Sequence, residues 1–165
     1  PDEKWSADIT YIATREGWLY LAVVLDLWSR RVVGWSMSER IDATLVQNAM
    51  HSALERRRPT TNLLHHSDRG VQYASDDFQR LLDDHGITCS MSRKGNCWDN
   101  APTESFFGKL KTERLDGEVF ATRAAARQAV FEYIEMFYNR VRRHAALGYV
   151  SPVEFEACAE KEMAA

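Results

Sequence analysis

Cysteine is scarce in this 165-residue sequence, and the little there is forms no pattern. Cys89, Cys97 and Cys158 are odd in number and none belongs to a Cys-x-x-Cys pair. A disulfide framework and a zinc knuckle are therefore both disfavoured, and a reducing compartment is expected. Long hydrophobic runs are missing as well. The longest purely apolar run, Trp18–Leu25, has eight residues, against the roughly 20 needed to span a bilayer. No membrane association and no cleavable leader are expected. The residues that make nucleotide loops and zinc protease helices are also lacking: there is no Gly-x-Gly-x-x-Gly, no phosphate-binding loop ending in Gly-Lys-Ser/Thr, and no His-Glu-x-x-His.

An excess of positive charge is the last absence. Lys and Arg number 21 against 24 Asp and Glu, a net of −3, which is not the usual footprint of a nucleic-acid binder. The deficit is local. Residues 151–165 carry Glu154, Glu156, Glu160 and Glu162 against Lys161 alone, so residues 1–150 sum to zero. Within them the cations cluster at Arg56-Arg57-Arg58, Arg93-Lys94, Lys109/Lys111/Arg114 and Arg140/Arg142/Arg143. Taken singly, such clusters are more often solvated faces than binding sites.

What is present suits a single domain with a substantial core: 45% hydrophobic residues and 18 aromatics in a chain of ordinary domain length. Residues 5–13 alternate, with Trp5, Ala7, Ile9, Tyr11 and Ala13 on one side and Ser6, Asp8, Thr10 and Ile12 on the other, which predicts a strand. Trp18–Leu25 reads as a second strand, expected to be central, and Arg31–Met37 as a third. Asp42 predicts a helix cap, with an apolar stripe at Leu45, Ala49 and Ala53 and a stop at Pro59. A short strand at Leu63–His66 leads to a helix capped by Ser75 and closed by Gly86, and Ile87–Met91 makes a fifth strand. Further helices are predicted from about Thr103 to Leu115 and from about Thr122 to Arg143, the second with Val130, Tyr133, Ile134, Phe137 and Val141 on one face. Ser151-Pro152-Val153-Glu154 is a capping box opening a short final helix. Three strands in a meander followed by α-β-α-β crossovers predict an α/β, ribonuclease-H-like fold: a mixed five-stranded sheet, three strands antiparallel and then two parallel, flanked by helices. Residues 1–150 form the core, and the C-terminal helix and acidic tail at 151–165 belong to the same domain.

Three carboxylates stand out for chemistry. Asp8 sits mid-strand on the polar side, Asp68 follows the short strand at its carboxyl end, and Glu104 lies in the first turn of a helix. Any one of them alone is more often a solvated face or a cap. Asp26 is the nearest rival and reads as a turn or arginine partner. His66-Ser67-Asp68 is no relay, because consecutive side chains of an extended segment point to opposite faces. His65 and His66 lack a spaced set of metal partners and read as structural. On the Glu104 helix, Gly108 and Lys111 share the carboxylate's face, leaving space and a cation beside an anionic ligand.

Six segments stand together: Trp5-x-x-Asp8-Ile9-Thr10-Tyr11, Asp26-Leu27-x-Ser29-Arg30, His66-Ser67-Asp68-Arg69-Gly70-x-Gln72-Tyr73, Ser90 to Cys97, Asp99-Asn100-Ala101-x-x-Glu104 and Tyr133 to His144. Jointly they resemble the integrase-type catalytic core of the DDE transposases of the bacterial IS-three insertion-sequence family. The family's acidic triad has 35 residues between its second Asp and its Glu, as do Asp68 and Glu104, and its basic residue seven positions after the Glu corresponds to Lys111. The resemblance implies metal-dependent cleavage and transfer of DNA strands in the bacterial cytoplasm, at the nucleoid. It implies Asp8, Asp68 and Glu104 as catalytic and metal-holding residues with two Mg²⁺ (or Mn²⁺), transposon ends and target DNA as partners, and a homo-oligomer, at least dimeric on DNA. Lys111, Arg93, Lys94, Asn100 and Arg142 are the candidate DNA contacts, and Trp98-Asp99-Asn100 is expected in an active-site flap. The family's upstream helix-turn-helix region is not in this sequence, which reads as a core fragment or a second reading frame. A hydrolytic ribonuclease-H-like nuclease and a non-catalytic binding module remain the alternatives.

Overall fold

A computed structural model describes residues 1–60, 62–68, 70–91 and 100–164. The alternating segment forms β1 (Lys4–Thr14), with Trp5 and Ala7 buried on one face and Ser6, Thr10 and Ile12 on the other. It pairs antiparallel with β2 (Gly17–Asp26), which pairs antiparallel with β3 (Val32–Ser38). On its other side β1 runs parallel to β4 (Leu64–Ser67), and β4 parallel to β5 (Thr88–Met91). The sheet order is β3-β2-β1-β4-β5. The mixed five-stranded sheet is as the pattern predicts: the apolar β2 is an interior strand, paired on both sides, and β1 beside it is the middle one.

Each face of the sheet carries its own core. Trp5, Ala7, Ala22, Val24 and Val33 pack against α1 (Ala43–Arg57) and α2 (Asp76–Asp84). Ile12, Leu21, Val23 and Leu25 pack on the opposite side against α3 (Ala101–Leu110) and α4 (Arg123–Phe131). The caps are those the sequence indicates. Asp42 accepts from the Leu45 N–H at 3.0 Å, Ser75 from Phe78 at 3.3 Å, and Glu154 accepts from the Ser151 N–H at 2.9 Å while Ser151 Oγ receives the Glu154 N–H.

Three predicted boundaries change. Helix α3 begins at Ala101 rather than Thr103, because Pro102 fits a first helical turn, where no N–H donor is needed. Both α3 and α4 continue as wider π-type turns, Lys111–Leu115 and Glu132–Tyr138. The second places Tyr138 inward, leaves Phe137 and Val141 exposed, and ends the helix well before Arg143. An i→i+5 bond adds a residue to the turn, as in Asn139 N–H to Ile134 O at 3.1 Å, so a strict 3.6-residue period loses register there. The final helix, α5 (Pro152–Ala164), is longer than expected and carries the acidic residues.

Helix α5 is tied to the rest of the fold by Glu156, which is 5% exposed. Its carboxylate accepts from Arg31 at 2.6 Å and from both terminal nitrogens of Arg57 at 2.9 and 3.0 Å. Burial disfavours its charged form, but hydrogen bonds from Arg57, Arg31 and Ser29 outweigh that and hold its pKa below the ordinary 4.5. The pair therefore stabilises the fold above that pH and loses its contribution as the carboxylate protonates in acid. Glu156→Ala leaves two guanidinium groups facing each other. Because Arg31 is partly solvated, the expected loss is about 2–3 kcal/mol, at or below the low end for a broken buried pair. Chemical denaturation at pH 7 measures it, and a midpoint unchanged from wild type contradicts the assignment.

Candidate active site

The parallel pairing of β1 with β4 sets two of the three carboxylates. Ala7 stands opposite Ser67, so Asp8 and Asp68 are the next residues along two adjacent strands. Asp8 falls on the face covered by α3, two residues beyond Ser6. The α3 end is fixed against that same face: Thr103 Oγ1 donates to Ser6 Oγ at 2.8 Å, and Ser6 Oγ donates to Asn100 Oδ1 at 2.7 Å. Glu104, next to Thr103, is thereby carried to the strand end where Asp8 and Asp68 lie.

The electrostatics agree with that placement. Burial pushes the Asp8 carboxyl up from 3.8 to about 6, and the negative charges of Asp68 and Glu104 push in the same direction. A hydrogen bond from the Ile9 N–H (2.8 Å to Oδ1) and the facing Asn100 side chain oppose the shift without cancelling it. Asp68 is exposed, and its Oδ1 accepts from the Gly70 N–H at 2.9 Å. A Cβ at Gly70 would stand 2.9 Å from that same oxygen, so a larger residue there would push the carboxylate aside. Beneath them Tyr73 is buried, its hydroxyl has no partner among the described residues, and burial together with the Asp8 and Asp68 charges raises its pKa. Among the described residues, no three His, Cys, Asp or Glu side chains close into a group able to hold a metal ion. The donor set nevertheless suits a hard cation: three carboxylates, one of them held above its ordinary pKa first by burial and then by the charges of the other two, which a cation would offset.

Comparison with known proteins gives this arrangement its family. Residues 1–97 and 104–158 match the integrase core domain. The chain belongs to the integrase core domain family. It is 54% identical over 156 residues to Transposase InsF for insertion sequence IS3A of Escherichia coli (strain K12), a match covering 94% of this chain and 54% of that protein. It is 49% identical to the Insertion element IS600 uncharacterized 31 kDa protein of Shigella sonnei, covering 94% of this chain and 57% of that one. The chain thus spans about half the length of the curated relatives it matches. Its fold is that of solved integrase catalytic cores. The HTLV-2 core in complex with magnesium superimposes with a TM-score of 0.69 at 18% identity, covering 94% of this chain and 96% of that one. The BIV core gives 0.69 at 20% identity, with both chains fully covered.

The remaining predicted residues of this integrase core fall in different places. Lys111 is exposed on the Glu104 face, its ammonium 5.5 Å from the centroid of the Tyr11 ring. Asn100 is buried, accepting from Ser6 Oγ and with its side chain hydrogen-bonded to Asp8. Arg142 is clamped by Glu113, its Nε and Nη2 donating at 2.6 to 3.0 Å, with Tyr133 Oη donating to the same carboxylate at 2.7 Å. Arg93, Lys94 and the Trp98-Asp99 part of the expected flap lie outside the described residues. Asp26 is the turn partner the sequence allowed: fully buried, it accepts from Asp2, Trp28 and Ser29 N–H groups at 2.7 to 3.1 Å. His65 is a core residue packed on Tyr73 and Phe78, held neutral by burial down to about 3. Sequence reasoning missed Ser6 and Thr103. Their only signal is position, since Ser6 shares the face of Asp8 and Thr103 adjoins Glu104.

Proposed function

We propose that this integrase core is the catalytic part of a transposase that cleaves DNA strands and joins them to a target, with Asp8, Asp68 and Glu104 as its catalytic carboxylates. The observation that carries the reading is Asp8: a half-buried carboxylate on the middle strand, facing the charges of two others from separate elements. A structural role would not need three acids crowded at one strand end at a cost in repulsion.

Asp8, Asp68 and Glu104 would hold two Mg²⁺ or Mn²⁺ ions, which when bound offset charge on the attacking and leaving oxygens of an in-line displacement at a phosphodiester. The HTLV-2 core described with magnesium supports divalent-metal use. The chain's own residues supply position. The Thr103–Ser6–Asn100 relay orients the amide against Asp8, and the Gly70 N–H holds one oxygen of Asp68. Lys111 meets the backbone of the bound strand beside Glu104, with Arg93, Lys94 and Arg142 contributing further positive charge. Arg142 would do so through its field or by exchanging Glu113 for phosphate. DNA ends and target are the partners, and the core acts as an oligomer on them.

The test is joining of a pre-cleaved terminal-repeat end to target DNA in Mg²⁺ or Mn²⁺, with the upstream region supplied if ends are not otherwise bound. Joined product is expected. Cleavage without joining would leave a hydrolytic nuclease, and neither activity would leave a binding module; either result overturns the proposal. Lys111→Ala is expected to lower the salt dependence of DNA affinity by about one unit of log–log slope, the share of one phosphate contact. An unchanged slope in a filter-binding titration removes Lys111 from the interface.

A further inference from the structure

The same helix that carries Glu104 borders an open cavity of about 380 Å³, lined by the turn after β2, the start of α3 and the segment following α4. Arg30, Ser105, Lys109, Tyr138 and His144 contribute to its wall, and among the described residues no carboxylate does. Neither Arg30 nor Lys109 forms an ion pair among the described residues. The Lys109 ammonium is steadied by Ser105 Oγ at 2.7 Å. Arg30 is held by its own turn, its N–H donating to Asp26 O at 2.9 Å, at a φ of 60°. That conformation costs a side-chain-bearing residue about 1–2 kcal/mol that glycine avoids, so an arginine there is not the choice of the backbone.

Two cations with no ion-pair partner among the described residues disturb the groups around them. Burial lowers the Lys109 pKa and the charges of Arg142 and Arg30 lower it further, while Glu113 opposes them. Burial drives His144 down to about 4, and Arg142, Lys109 and Arg30 act in the same sense. Glu113 does not fill the cavity, being taken up by Arg142 and Tyr133. His144 is itself buried, with Nε2 lacking a hydrogen-bond partner among the described residues. The wall is thus positive and hydrogen-bonding, and among the described residues it holds no anion.

We propose that this cavity is a phosphate-binding subsite for the DNA strand, with Arg30 and Lys109 as its charge contacts; the substrate class rests on the function proposed above. Ser105 and Lys109 lie about 100° and 140° around the helix from Glu104, at 100° per residue. A strand passing the Glu104 face reaches the cavity within a few nucleotides. Arginine's planar fork suits a phosphodiester's paired oxygens, and the lysine adds a point charge. The contact is sequence-neutral and fixes where the strand lies.

The test compares the wild-type chain, the double variant Arg30→Gln/Lys109→Gln and Lys111→Ala in salt titrations of duplex binding, with thermal unfolding as a control for folding. The double variant is expected to lower the log–log slope by about 1–2, in addition to any change from Lys111→Ala. Ala146→Glu, which sets a carboxylate at an exposed position of the cavity wall, is expected to weaken DNA binding most at low salt, and it decides the matter if the double variant unfolds. In parallel, inorganic phosphate is added while the His144 ring signals are followed by NMR. Shifts in the wild type and none in the double variant support the subsite. Shifts with an unchanged DNA slope mean that free phosphate, not the strand, is the ligand, and the assignment falls. If Lys111→Ala lowers the slope while the double variant and Ala146→Glu change nothing, the cavity is excluded and the proposed function stands. If the wild type binds no DNA at all, both fall.

Discussion

Glu104→Gln is expected to reduce strand joining by about a thousandfold or more, the scale of losing one electrostatic anchor in a preorganised site. Glutamine keeps the size and helix preference of glutamate, and Glu104 is exposed, so the fold is expected to be unaffected. Asp8→Asn is expected to remove joining as completely and, unlike Glu104→Gln, to raise stability. In the folded chain the Asp8 carboxyl titrates near 6 against an ordinary 3.8. Between those values the folded state holds a proton that the unfolded state releases, so stability falls as pH rises through that window, and the penalty remains at pH 7. A gap of two units corresponds to at most about 3 kcal/mol, and partial solvent access reduces it to about 1–2 kcal/mol. In metal-free buffer at pH 7 Asp8→Asn is therefore expected to unfold at a higher temperature than wild type. The same variant made only as a structural lesion would unfold lower. A calorimetric scan beside the joining assay separates the two, and a lower midpoint contradicts the crowded-carboxylate reading.

The largest effect on stability is expected at Gly34. A Cβ built there would stand 2.3 Å from Ala49 O, 2.6 Å from Ala53 Cβ and 2.6 Å from Ala53 N. None of these is the end of a flexible side chain, so relief requires α1 to move away from β3. That shift would open the core formed by Val33, Ala49, Met50 and Ala53. Gly34→Val is expected to cost about 3 kcal/mol or more, above the usual overpacking range, because backbone rather than a side chain must move. For a chain of this length that is a fall of roughly 10 °C in Tm. Gly108→Ala is the matched control. Nothing lies within 4 Å of a Cβ at Gly108, and the helical alanine is expected to be neutral or stabilising. Equal midpoints for the two variants would show that the α1–β3 approach is looser than the structure has it.

Much of the fold was legible because local chemistry and tertiary demand agree. Asp42, Ser75 and Ser151–Glu154 cap the helices their sequences announce, and the alternation of residues 5–13 already separates Asp8 from Trp5 by face. The unread parts have specific causes. A wide turn after Phe131 moves Tyr138 into the place expected for Phe137, and no composition signal marks where an i→i+5 bond replaces an i→i+4 one. That Asn100 and Arg142 are hydrogen-bonded to Ser6 and Glu113 could not be read from the sequence, because those partners are 94 and 29 residues away.

The sequence by itself determined the elements, the face on which each acid lies and the spacing that marks the family, since periodicity, caps and motif offsets are properties of neighbouring residues. Tertiary structure alone decided that β1 is the middle strand, that β4 runs parallel beside it with Ala7 opposite Ser67, and that Ser6 and Thr103 lock α3 across that end. Those are long-range pairings, and the raised pKa of Asp8 follows from them: neither its burial nor the charges of Asp68 and Glu104 exist for it until the chain is folded.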